Sequence, residues 1–140
     1  MTNRGTASLP QTTASALFKV QGGRVLVMGI YGEVTTIVQT QTNNAKLISD
    51  PTVGADVDLC ATLDLTADAV GTMYGITGDF SDAMKTATSG ALEIGSTDNI
   101  QGVVVAAGNI NLSCSASSSG EVKWSILWRP LDEYARVVRA

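Results

Sequence analysis

The sequence predicts an all-β protein, an antiparallel β-sandwich or jelly roll of about eight strands with an extended N-terminal arm. Short runs rich in β-branched residues recur along the chain, and several of them alternate apolar and polar side chains. Turns rich in Gly or Asn separate these runs at spacings of about ten residues, which is typical of sandwiches and barrels. We therefore expect one domain over residues 15–140, preceded by an arm over residues 1–14.

The arm has no hydrophobic periodicity and contains few large apolar side chains. Such a segment is either a frayed terminus or an extended arm that becomes ordered on a neighbouring subunit. Under the second interpretation the arm supplies candidate interface residues. These are Thr2, Asn3, Arg4, Leu9, Pro10 and Thr12.

The first half of the domain contains five predicted strands. Gly22-Gly23 forms a turn after the first of them, because glycine adopts positive φ without steric cost. The run 24–31 is apolar on both phases, which indicates a strand buried on both faces. Residues 56–66 alternate cleanly and predict one continuous, half-buried strand. The five strands are expected at residues 15–21, 24–31, 34–42, 45–49 and 56–66.

The second half begins with a less regular segment, residues 67–99, for which we expect a long loop. Within it the pattern indicates one helical turn near residues 80–85, capped by Asp79 or Ser81, and a short strand at 91–94. The last third alternates strongly, and its polar Ser-rich loop predicts a hairpin. Residues 100–107 and 109–115 form either a strand pair or one long strand bent around Gly108, and further strands are expected at residues 122–129 and 135–138.

Trp124 and Trp128 lie on one face of a predicted strand, with Ile126 between them. Three roles are open to such a pair. Packing in the core is favoured, followed by a subunit interface and then by a platform on which a ligand stacks.

The composition excludes several functions. The chain contains no histidine, which removes Ser-His-Asp and Cys-His catalysis and imidazole metal sites. The net charge of -4 argues against nucleic-acid binding, and no apolar run is long enough to span a membrane. Residues 1–11 also lack the apolar run of a signal peptide, so we expect synthesis in the cytoplasm. Ser and Thr together supply 28 of the 140 residues and suit polar strand faces.

Cys60 and Cys114 are too few to form a zinc site, and we expect both to be small buried residues, with a disulfide as the alternative. Two sets of carboxylates are available for glycoside hydrolysis, Asp58 with Asp64, and Asp79 with Asp82 and Asp98. The second set is also a candidate for binding Ca²⁺. No calcium-loop spacing is present and aromatic residues are few, so solvated acids or a helix cap are favoured. We expect no catalytic residue, no metal and no cofactor.

The C-terminal residues 118–132 and 135–138 carry a resemblance. They combine a glycine, an alternating strand with two tryptophans, Pro-Leu-Asp and a short Val-rich strand. This pattern, together with the Ser/Thr/Ala-rich residues 2–13, resembles the capsid decoration (cement) proteins of tailed bacteriophages.

The resemblance implies a virion structural protein, not an enzyme, which forms a homotrimer on the outer capsid lattice and stabilises the shell. Its partners would be other copies of itself and the major capsid protein, with no nucleic acid and no membrane. The arm residues named above, with Trp124 and Trp128, are then candidates for the subunit or capsid interface. Two alternatives stay open: a tail, neck or head-fibre component, and a carbohydrate-binding β-sandwich module.

Overall fold

The computed structural model describes residues 1–11, 14–94 and 102–140. Within these residues the chain is all-β and contains no helix, which confirms the predicted fold class, with twelve strands where about eight were expected. The strands are β1 Thr2–Ser8, β2 Ala14–Gln21, β3 Val25–Thr36, β4 Asn44–Pro51, β5 Val57–Asp58, β6 Leu63–Asp64, β7 Met73–Gly75, β8 Lys85–Ala87, β9 Val103–Val105, β10 Gly108–Cys114, β11 Glu121–Pro130 and β12 Arg136–Arg139.

The strands form two antiparallel sheets of six. The first sheet has the order β1-β11-β3-β7-β8, and β9 also pairs with β3. The second sheet has the order β12-β2-β10-β4-β5, and β6 also pairs with β4. Because β10 and β11 lie in different sheets, the predicted hairpin between them is wrong. Their connection crosses from one sheet to the other and is held there by Ser118, which is buried and donates its hydroxyl to Gln41 at 3.1 Å.

The core lies between the sheets and is formed by the inward phase of each long strand. In β11, for example, Val122, Trp124 and Ile126 are buried, while Lys123 between them is exposed. Burying one large apolar side chain contributes roughly 1.5–3 kcal/mol. The described residues include no helix long and apolar enough to cross a membrane.

The N-terminal segment is extended, as predicted, but Thr2–Ser8 is part of the sandwich. It pairs antiparallel with β11 of the same chain, and a bulge at Gly5 interrupts the register. Leu9 and Pro10 are buried, and the Leu9 N–H donates to the Gly120 carbonyl at 3.1 Å. The N-terminal segment belongs to the sandwich because the Leu9 side chain fills core volume, which would be empty if the segment lay outside the domain.

β3 runs without a break from Val25 to Thr36, where the sequence predicts two separate strands at residues 24–31 and 34–42. Gly32, which lies between the two predicted strands, is needed for packing. A Cβ at this position would lie 2.8 Å from Cζ3 of the Trp124 ring. Residues 37–42, expected to extend the second strand, form a loop.

The single strand predicted at residues 56–66 is wrong. The segment pairs with β4 through the two short strands β5 and β6, and the Leu59 N–H between them also donates to the Leu47 carbonyl at 2.8 Å. Between them the chain bulges, and Leu59 and Cys60 are both buried despite lying on opposite phases. The bulge is held by the Leu47 N–H, which donates to Cys60 Sγ at 3.3 Å.

The expected helical turn at residues 80–85 is absent, and β8 begins at Lys85. Asp79 does cap the segment, since its Oδ1 accepts the Ser81 N–H at 2.9 Å in a tight turn. Residues 91–94 are not a strand. Instead Leu92 and Ile94 cover Gly75 of β7, where a Cβ would approach their side chains to 3.1 and 2.7 Å. Residues 100–101, the expected start of the next strand, lie outside the described residues.

Candidate interaction surface

The candidate interface residues of β1 make contacts within their own chain. Thr2 donates its hydroxyl to the Val137 carbonyl at 2.8 Å and accepts the indole N–H of Trp128 at 3.0 Å. Asn3 accepts the Ser125 hydroxyl at 2.9 Å. Because Val137 belongs to the second sheet and Trp128 to the first, Thr2 joins the two sheets at their shared edge.

The other candidates of the N-terminal segment differ in exposure. Arg4 is half-buried, and its Nε has no hydrogen-bond acceptor in the described part of the chain. Leu9 and Pro10 are buried in the core. Thr12 lies outside the described residues. Within one chain, therefore, Arg4 is the candidate whose polar group is left without a partner.

Trp124 confirms the favoured prediction of a core residue. It is 2% exposed and stacks on Tyr74, with ring centroids 6.3 Å apart and an interplanar angle of 24°. The Tyr74 hydroxyl in turn donates to Asp68, and burial together with this carboxylate raises the pKa of Tyr74. Trp128 packs partly buried against the same core. Since the two rings are not jointly exposed, they do not form a stacking platform for a sugar.

The outer face of the first sheet is apolar at one end. Leu26 and Val104 are register partners on β3 and β9, and both lie between inward-facing valines. Val104 is 58% exposed. Their outward phase explains why residues 24–31 are apolar on both phases: one phase fills the core, and the other forms a half-exposed surface. We call Leu26 and Val104, together with Leu127, which pairs with Gly29 further along β3, the apolar face. Arg129, the exposed register partner of Leu26 on β11, borders it.

A groove of about 320 Å³ continues along the same outer face. Apolar side chains form most of its walls, and the Lys123–Glu33 ion pair, with N and O 3.0 Å apart, closes one side. The outer groove is lined by Tyr31, Glu33, Met73, Leu92, Ile94, Lys123 and Ser125, with Gly32 and Tyr74 beneath. The sequence interpretation missed it because its walls come from strands and a loop far apart in the chain.

The outer face of the second sheet is polar by contrast. Its outward positions on β2, β4 and β10 alternate with buried apolar residues. Lys46 there pairs with Asp58 at 3.0 Å. The other polar outward side chains include Lys19, Asp50, Asn109, Asn111 and Ser113. The two outer faces are therefore unlike, and the apolar one is better suited to contact with another protein surface.

The cysteines and carboxylates of the described residues show no arrangement suited to catalysis or metal binding. Cys60 and Cys114 are free and buried, as predicted. Burial raises the pKa of both thiols, that of Cys114 to about 11, which keeps them protonated and unreactive. Among the described residues no group of three or more His, Cys, Asp or Glu side chains is arranged to hold a metal ion. Asp98, one of the candidate carboxylates, lies outside the described residues.

Compared with known proteins, the chain matches no family model, no curated protein and no solved structure.

Proposed function

We propose that this protein is a virion structural protein and not an enzyme, specifically a capsid decoration protein that binds the outer capsid lattice as a homotrimer and stabilises the shell. Its localisation would be the capsid surface, after synthesis in the cytoplasm of a bacterial host. The resemblance of the C-terminal residues 118–132 to cement proteins motivates the proposal. The observation that carries it is the contrast between the two outer faces of the sandwich.

The apolar face is what a lattice-binding protein needs. Leu26, Val104 and Leu127 present aliphatic surface on a rigid sheet, so contact with a partner costs little ordering of loops. Their branched side chains have few rotatable bonds, which limits the entropy lost on burial. We propose this face as the contact with the major capsid protein.

The experiment is binding of the purified full chain to expanded capsids from which the protein is missing, measured by co-sedimentation and by labelling of intact particles. Val104→Asp places a charge on the apolar face and should weaken co-sedimentation by about tenfold or more. Val70→Asp is the matched control, since Val70 is 64% exposed and lies next to Gly71, whose N–H binds the Val34 carbonyl at the opposite end of β3 from Leu26. Label on tails or necks would favour the alternative virion component, and absence from particles would overturn the proposal.

The carbohydrate-binding alternative has a separate test in tryptophan fluorescence. Trp124 is buried and Trp128 half-buried, so the emission should be blue-shifted and unaffected by glycans. A glycan-dependent change that Trp128→Phe abolishes would instead support that module.

A further inference from the structure

Charge is separated between the two long edges of the sandwich. Strands β1 and β12 lie together at one edge, since they close the first and second sheets on the same side. At the opposite edge β5 and β6 of the second sheet meet the segment before β8 of the first, through a bridge between Ala61 and Ala83. We call these the basic edge and the acidic edge.

The basic edge carries arginines that the chain itself leaves unpaired. Arg136 and Arg139 on β12 are exposed, and neither has an ion-pair partner in the part of the chain that is described. Arg4 on β1 is half-buried and adds its positive charge to this edge, although its Nε is itself a buried atom. Of the nearby acids, Asp132 is already bound by Arg24 at 2.9 Å. Glu133, exposed in the turn before β12, offsets only part of the positive charge.

The acidic edge carries an excess of carboxylates. Asp56 lies beside Asp50, and desolvation together with this neighbouring charge raises the pKa of Asp56. Hydrogen bonds from Thr66 and Ser81 lower the pKa values of Asp64 and Asp79, which keeps both ionised. The exposed carboxylates of this edge are Asp56, Asp58, Asp64, Asp79 and Asp82. Its cations among the described residues are Lys46 and Lys85.

Apolar side chains lie among these carboxylates. Val57 is 44% exposed and Phe80 is 42% exposed. An interface needs such contacts at its centre, because exposed ion pairs alone contribute little affinity. The acidic edge therefore offers both the charge and the apolar area that a partner with exposed arginines would fit.

We infer that the basic edge of one copy docks on the acidic edge of the next, so that identical chains associate head to tail in a closed ring. A second copy is the occupant that the charges select, because one chain carries both complementary edges. Two-fold pairing of like edges would bring arginine against arginine or carboxylate against carboxylate. A heterologous contact avoids this repulsion, and a ring uses each edge once per subunit. This inference deepens the homotrimer part of the proposed function and rests on it.

The test is charge reversal at each edge of the full chain, with the oligomer measured by light scattering and analytical ultracentrifugation. Arg136→Glu on the basic edge and Asp56→Lys on the acidic edge should each raise the dissociation constant of the oligomer about tenfold or more. The double variant, in which the reversed edges again attract, should recover to within about threefold of the parent. Raising the salt from about 50 to about 500 mM should weaken the parent oligomer by about tenfold.

Glu33→Lys is the matched control for Asp56→Lys, because it makes the same charge change on β3, the central strand of the first sheet, away from both edges. It should leave the oligomer unchanged. Circular dichroism checks that each variant folds, and Arg139→Glu replaces Arg136→Glu if the latter does not.

Three results would overturn the inference: a monomer at all salt concentrations, an oligomer indifferent to both reversals, or a double variant no better than the single ones. Binding to capsids is scored separately. A monomer that binds capsids leaves the proposed function standing without this interface. A ring that responds as expected but does not bind capsids supports the interface and overturns the function.

Discussion

Thr2 and Trp128 are joined by a hydrogen bond in which the indole N–H donates to the threonine hydroxyl oxygen at 3.0 Å. The same hydroxyl donates to the Val137 carbonyl at 2.8 Å. The Thr2 side chain of β1 therefore links β11 of the first sheet to β12 of the second. Two residues expected to contact a neighbouring subunit contact each other within one chain, which makes β1 a structural strand.

Replacing Thr2 by Val should destabilise the fold by about 1 kcal/mol, because the indole N–H of Trp128 loses its acceptor and the Val137 carbonyl loses its donor. Urea unfolding followed by tryptophan fluorescence measures the change. Thr6→Val is the matched control, since Thr6 is exposed on the same strand and its hydroxyl makes no hydrogen bond in the described part of the chain. Equal effects of the two substitutions would contradict a specific role for Thr2.

Removing the N-terminal segment should cost stability, contrary to what an arm outside the core would predict. Deletion of residues 1–14 removes β1 from the first sheet and the buried Leu9 from the core. Leu9→Ala alone should lower the free energy of unfolding by about 2–5 kcal/mol, from lost burial and the cavity left behind. Thermal unfolding by circular dichroism provides the measurement. A midpoint unchanged by both variants would show that the segment does not pack as described.

The fold class could be predicted from the sequence because alternation and turn spacing are local signals. The assignment of strands to sheets could not, since it depends on which surfaces meet in the core. Leu59 and Cys60 are an example of what alternation cannot predict. Both are buried in a bulge that is held by a hydrogen bond from the Leu47 N–H, on a neighbouring strand, to Cys60 Sγ. The outer groove is invisible for the same reason, because Tyr31 and Leu92 come together only in the folded chain.

Gly32 and Gly29 of β3 allow the effect of an added methyl group to be compared on the two faces of the first sheet. A Cβ at Gly32 would lie 2.8 Å from the buried Trp124 ring, which is fixed by Tyr74. A Cβ at Gly29 would meet the hydroxyl end of Tyr31, which is the far end of a half-buried side chain on the outer face and can shift more easily than the buried indole. Gly32→Ala should therefore cost about 1–3 kcal/mol and Gly29→Ala distinctly less. Urea midpoints in the reverse order would contradict this packing.

The two cysteines should be unreactive in the folded protein. Burial raises the pKa of Cys114 to about 11 and also raises that of Cys60, so little thiolate forms and reagents cannot reach it. Titration with a thiol reagent at pH 8 should label almost no cysteine before unfolding and both cysteines in denaturant. Labelling should stay slow at pH 9, where an ordinary thiol would be mostly ionised. Rapid native labelling of either cysteine would contradict the burial.

Asp132 should give the stability a dependence on acid pH. Arg24 donates side-chain and backbone hydrogen bonds to this carboxylate and lowers its pKa to about 2. Because the folded pKa lies below the unfolded value, the ionised form stabilises the fold above about pH 4, and this contribution is lost as the pH falls from about 4 to about 2. Asp132→Asn should therefore lower the urea midpoint at pH 7, and the difference from the parent should narrow below pH 4.

The contribution of Asp56 to stability should depend on pH in the opposite direction to that of Asp132, so Asp56 serves as the control. Desolvation and the neighbouring Asp50 raise the pKa of Asp56, so its ionisation at neutral pH opposes folding. Asp56→Asn should leave the urea midpoint at pH 7 unchanged or raise it, and any gain should disappear in acid as the parent carboxyl becomes protonated. If both variants lost stability equally across the pH range, the Arg24–Asp132 pair would not be the source of the dependence. In that case the acid sensitivity would have to come from protonation of other carboxylates that accept hydrogen bonds in the fold, such as Asp64 and Asp79.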